Sequence, residues 1–179
     1  MQRGAAIALV ALAAAAPLQA QSRFHAGLGV GAGFVFAVAD TRASYGAGPA
    51  GEAELAFGRT GSPWSARFEA RYLRLHGADS PDLGFPSLNV LAFGLSAVRR
   101  LGAAGRYVSP YALAGAGAHN LQDALPFAAY HTRLGVHLGF GAEIGPGRLR
   151  AFVEGRITHI TSQPPIDLAG LSAGMRWGL

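Results

Sequence analysis

The sequence predicts an all-β protein: an eight-stranded antiparallel up-and-down barrel that crosses a membrane with its strands. Three observations predict it. Beyond the first twenty residues, apolar positions alternate with small or polar ones almost to the end of the chain, the period of a strand with one apolar face. Short Gly- or Pro-rich turns alternate strictly with longer, more polar connections. Charged residues are only 14% of the chain, against about a quarter in an ordinary soluble domain. Glycine is 26 of 179, so the surface is not built for water in the usual way.

Arg3 supplies a short positive region, Ala5 to Ala16 an apolar run, Pro17 a break, and Leu18-Gln19-Ala20 a cleavage site. The run is too short for a transmembrane helix, which needs about 20 apolar residues. The expected organisation is a signal peptide over residues 1–20 and one barrel domain over residues 21–179. No lipobox cysteine follows the run.

The first strand has Phe24, Ala26, Leu28, Val30, Ala32, Phe34, Phe36 and Val38 on one face, and His25 with Gly27, Gly29, Gly31 and Gly33 on the other. A dinucleotide fingerprint needs a strand, a tight turn and a helix, so this glycine series is one face of a strand. Residues 49–58 follow, with Glu52 and Glu54 opposite Ala53, Leu55 and Phe57. Trp64, Ala66, Phe68, Ala70 and Tyr72 stand against Arg67, Glu69 and Arg71. Leu91, Phe93, Leu95 and Ala97 stand against Ala92, Gly94 and Ser96. Residues 108–120 are too rich in Ala and Gly for their faces to be assigned. The sixth strand sets Leu134, Val136, Leu138 and Phe140 against His131, Arg133, His137 and Glu143. The seventh sets Leu149, Ala151, Val153 and Ile157 against Arg150, Phe152, Glu154, Arg156 and Thr158. The last sets Leu171, Ala173, Met175, Trp177 and Leu179 against Ser172, Gly174, Arg176 and Gly178.

Short turns are expected at Arg59–Pro63, Gly102–Arg106 and Gly145–Gly147. Longer loops are expected at Asp40–Gly48, Ala78–Pro86, Gln122–Ala129 and Ser162–Ile166. In a bacterial outer-membrane barrel the short turns face the periplasm and the loops face outward.

A soluble eight-stranded barrel needs a charged exterior. Here the polar face is poor in charge and suits a narrow lumen, which eight strands leave just wide enough for side chains to fill. Arg67, Glu69, Arg71, Arg133, His137, Glu143, Arg150, Glu154, Arg156 and Arg176 are expected there. Opposite signs occur together, so they can pair, as desolvated charges must. Trp64 and Tyr72 lie eight residues apart on the apolar face, about 20 Å along the barrel axis, close to the spacing of the aromatic girdles.

With these residues in view the chain resembles the family of small outer-membrane β-barrel proteins of the eight-stranded OmpA/OmpX-like type. The resemblance rests on the export signal, Pro110-Tyr111 with its Ala/Gly run (PYALAGAGA), Phe152–Arg156 (FVEGR) and the ending Leu171–Leu179 (LSAGMRWGL). Family members end on a terminal aromatic read by the outer-membrane assembly machinery. Here Leu179 is last, with Trp177 two before it. The resemblance implies residence in the outer membrane, contact with outer-membrane lipid or lipopolysaccharide and with that machinery, and a monomer.

Few residues point to chemistry. With no cysteine in the chain, disulfides and thiolate metal sites are out. All fifteen basic residues are arginine and only Arg99-Arg100 are adjacent, so the net charge of +5 does not form a nucleic-acid surface. His131 and His137 share a face but stand about 20 Å apart along the strand, too far to bind one metal. No cofactor motif is present. The lipid A deacylase family pairs His-x-Ser near the outer end of a late strand with a downstream carboxylate. Thr158–Ser162 (THITS) comes nearest to it, making His159 and Thr161 the candidate catalytic residues and Asp167 the acid that follows. The expected function is a non-enzymatic outer-membrane barrel with a structural or surface-interaction role. The alternatives are a lipid A-modifying hydrolase using His159 and a small-solute channel.

Overall fold

The computed structural model describes residues 24–77, 87–102, 107–123 and 131–179. They form β1 (Phe24–Ala37), β2 (Ala47–Arg59), β3 (Trp64–Leu75), β4 (Leu88–Arg100), β5 (Val108–Asp123), β6 (His131–Ile144), β7 (Leu149–Ile160) and β8 (Ile166–Gly178). Each strand pairs antiparallel with the next. β8 returns to β1 in a register running from Gly27 opposite Gly178 to Ala37 opposite Leu168. The sheet closes without an edge, which satisfies the backbone as lipid requires.

At the turn end, Gly61 and Gly147 hold the positive φ that their tight turns need. At the loop end, a 3-10 turn, Ala39–Ala43, follows β1. The strands there are longer than the alternation suggested. β3 reaches Leu75, β4 starts at Leu88, β5 reaches Asp123, β7 reaches Ile160, and β8 starts at Ile166. The loop expected at Asp40–Gly48 accordingly ends where β2 begins at Ala47, and Gln122 lies on a strand. Ala78–Pro86, residues 124–129 and residues 103–106 of the expected connections lie outside the described residues.

The reason is an inversion of polarity. Through most of the barrel the outward face is apolar and bare, with Phe34 61%, Phe93 57% and Phe140 70% exposed. Apolar area of that extent needs a partner, and here lipid suits it. Near the loop end Arg74, Asn89, Gln122, His159 and Asp167 take the outward positions. Leu73, Leu75, Leu88, Val90, Leu121, Ile160 and Leu168 turn inward and are buried. The top of the barrel is thus built like a soluble one.

The faces of β5 become readable by register. Ala112, Ala114, Ala116 and Ala118 pair with the outward Phe140, Leu138, Val136 and Leu134, while Tyr111, Leu113 and His119 are buried inside.

Candidate functional site

Two places gather polar side chains: the lumen and the outward rim at the loop end. In the lumen, alternation carries Glu52 and Glu54 of β2, Arg67, Glu69 and Arg71 of β3, Glu143 of β6, Arg150, Glu154 and Arg156 of β7 and Arg176 of β8 inward, where glycines make room. A Cβ at Gly31 would lie 2.7 Å from Phe152 Cζ, and one at Gly29 2.6 Å from Glu54 Cγ.

Glu154, whose side chain is 1% exposed, is the hub. Arg67 Nη1 donates to its Oε2 at 2.6 Å, Arg156 Nη2 to its Oε1 at 2.6 Å, and Tyr111 Oη to Oε2 at 2.9 Å. Arg156 continues to Glu69, which accepts from Ser96 Oγ at 2.7 Å. Arg176 pairs with Glu54, reaches Glu143 at 3.2 Å, and lies 4.1 Å from the Phe152 ring centroid. Arg71 meets Glu52 at 3.2 Å, and Arg150 meets Glu143 at 3.5 Å. The lattice therefore joins Arg67, Arg71, Arg150, Arg156 and Arg176 to Glu52, Glu54, Glu69, Glu143 and Glu154. The charges balance, and these are all the glutamates of the chain. Fork-like guanidinium–carboxylate contacts of this kind restore much of what water would supply.

One expected member is elsewhere. Arg133 has the inward parity but is exposed, because β6 runs past the end of β7, where Ile160 stands opposite Gly135. Above the lattice the inward leucines, valines and Ile160 pack into an apolar cluster with Tyr45, Ala50 and Ile166 against it. This second storey fills the lumen toward the loop end with buried apolar side chains. Sequence reasoning missed it, although the same inward parity leads from Arg71 to Leu73 and Leu75.

Two arrangements have the outline of catalytic sites. Ser96 Oγ also lies 2.7 Å from His137 Nε2. Its glutamate touches the serine rather than the histidine, and the neighbouring cavity is about 10 Å³, room for one water at most. This group is a node of the lattice.

At the rim, His159 Nδ1 stands 2.7 Å from Asp167 Oδ1 across the β7–β8 ladder, both partly exposed and outward. Thr161 Oγ1 is committed to the Leu134 carbonyl at 2.7 Å. The histidine and the acid are brought together; the hydroxyl is turned to the backbone.

A closed eight-stranded sheet with an apolar outer band, aromatics near both ends and a filled, charge-paired lumen defines a transmembrane barrel of the outer-membrane class. The chain belongs to the family described as outer membrane protein beta-barrel domain, whose sequence profile matches residues 5–174. Its fold is similar to Neisserial surface protein A, with a TM-score of 0.61 at 16% identity, covering 87% of this chain and 97% of that one. It is also similar to the N-terminal β-barrel domain of Pseudomonas aeruginosa OprF, with a TM-score of 0.55 at 13% identity, covering 87% and 98%. No curated protein sequence matches it. The eight-stranded outer-membrane barrel read from the alternation is borne out.

Proposed function

We propose that the protein is a non-enzymatic, non-conducting resident of the outer membrane, exported by its N-terminal segment and acting through its exposed loop end on the envelope or on surfaces. The observation that carries this is the filled lumen: among the described residues a charge-balanced lattice occupies its lower part and an apolar cluster its upper part. Its neighbours in place are outer-membrane lipid and lipopolysaccharide, reached after delivery by the assembly machinery, and the barrel works as a monomer. The test is fractionation of cells with gel migration before and after boiling, and N-terminal sequencing of the membrane form. The expected results are recovery in the outer membrane, a heat-dependent shift and a start near Gln21. Recovery from the soluble periplasm without a shift would contradict the proposal.

Orientation has its own check, helped by the absence of cysteine. A cysteine at Ser44 or Ser162, beside the loops, should react with an impermeant maleimide on intact cells. One at Gly61, in a tight turn, should react only after lysis. The reverse pattern means the barrel is inserted the other way.

The His159–Asp167 contact at 2.7 Å favours a second reading, hydrolysis of lipid A acyl esters at the lipid-facing rim. It requires Thr161 to leave the Leu134 carbonyl and face His159. Lipid A mass spectrometry of cells with and without the protein decides. On the main proposal the spectra are identical, and loss of an acyl chain that His159→Ala abolishes would establish the second.

A further inference from the structure

We infer that the turn end of the lumen is an anion-binding vestibule for a phosphate group, built from Arg100, Arg148 and Arg150 with His25. This goes beyond the proposed function and holds for either orientation of the barrel. A cavity of about 350 Å³ opens at that end, and these four side chains line it. A smaller cavity adjoins it, also lined by His25 and Arg100, together with Ser62 and Ser65.

Charge bookkeeping singles the place out. The chain has five glutamates and five aspartates. All the glutamates belong to the lumen lattice. The aspartates among the described residues, Asp40, Asp123 and Asp167, all lie at the loop end. Among the described residues the turn end has no aspartate; the cavity is also lined by Glu54, Glu143, Arg176 and Leu179, and both glutamates are already held by lattice arginines, Glu54 by Arg176 and Glu143 by Arg176 and Arg150. Arg100 and Arg148 form no ion pair with a carboxylate among the described residues, whereas each lattice arginine has at least one glutamate within 4 Å. Arg150 is held only by long contacts, 3.5 Å to Glu143, 3.3 Å to Ser109 Oγ and 3.4 Å to the Gly147 carbonyl, so it can turn toward a ligand.

Surplus cations in a concave site focus the field on its centre. Guanidinium forks match the several oxygens of a phosphate and bind it bidentately. The serine hydroxyls and the His25 ring supply further hydrogen-bonding groups. The phosphate has two possible sources, a phospholipid headgroup of the adjoining leaflet or a free phosphate in the aqueous compartment.

The chain's two tryptophans, Trp64 and Trp177, each line one of these cavities and report on them. The test puts the full chain in phosphatidylcholine nanodiscs and titrates pyrophosphate, followed by tryptophan emission and calorimetry. A second series adds phosphatidylglycerol to the nanodiscs. The comparison proteins are the Arg100→Gln/Arg148→Gln double variant, which leaves the lattice intact, and Arg42→Gln at the loop end. Saturable pyrophosphate binding, weakened at least about tenfold in the double variant and unchanged in Arg42→Gln, identifies a site for free phosphate. A response to phosphatidylglycerol alone, lost in the double variant, identifies a headgroup site. No saturable response in either series, or one that the double variant retains, overturns the inference.

Discussion

Glu154→Ala is expected to cost the folded barrel about 3–5 kcal/mol, because it strips the partner from buried charges. Arg67 and Arg156 each donate to Glu154 at 2.6 Å, and Arg176 lies 3.4 Å away. Arg156 keeps Glu69, and Arg176 keeps Glu54 and Glu143, but Arg67 retains only Glu54 at 3.3 Å and Glu69 at 3.9 Å. Tyr111 loses its acceptor as well. The neighbouring Val153→Ala removes two methyl groups from the outward face, where lipid takes up the vacated contacts, and should cost clearly less. Urea titrations of both variants in micelles give the comparison. Equal losses at the two positions would mean that Glu154 is served by water, and the account of a desolvated lattice would fail.

The second large effect is expected at Phe152, fully buried in the lumen under the Arg176 guanidinium. Phe152→Ala should cost about 3–5 kcal/mol, the usual range for emptying so large a buried volume. Gly31→Ala should cost about 1–3 kcal/mol by overpacking, since its new Cβ would meet the ring at 2.7 Å. The two are coupled. In the Phe152→Ala background the clash is gone, and most of the Gly31→Ala cost should vanish, leaving only the approaches to Glu52 Oε1 at 3.0 Å and the Ala173 carbonyl at 3.1 Å. Additive losses would show that the glycine serves the backbone and not the ring.

The legible parts of this chain and the hidden ones differ by physical cause. Along β7 the outward Val153 and Ile157 and the inward Glu154 and Arg156 differ in polarity, so a period of two reveals both strand and face. Along β5 Ala112, Gly115, Ala116 and Gly117 do not differ, and only the register with β6 separates them. Toward the loop end Arg74 is outward and Leu75 inward, the reverse of the pattern in the bilayer, so the alternation of apolar outward and polar inward residues stops before the strands do and hides the apolar storey. The lattice was legible as a set of inward charges, but its hub was not. That Glu154 gathers Arg67, Arg156 and Tyr111 depends on strand stagger around the closed barrel, which no single strand encodes. The rim pair is intermediate: the alternation placed His159 outward, and pairing with β8 brought Asp167 to it.

The claim on which the functional account rests is that the lumen is closed. Planar-bilayer recordings of the purified full chain test it most directly, with Leu75→Ser alongside to breach the apolar storey. The account predicts no discrete conductance from the natural sequence at moderate voltage in concentrated salt, and at most brief events from the variant, whose charge lattice remains in place. Steady ohmic steps from the natural sequence, scaling with salt concentration, would contradict it.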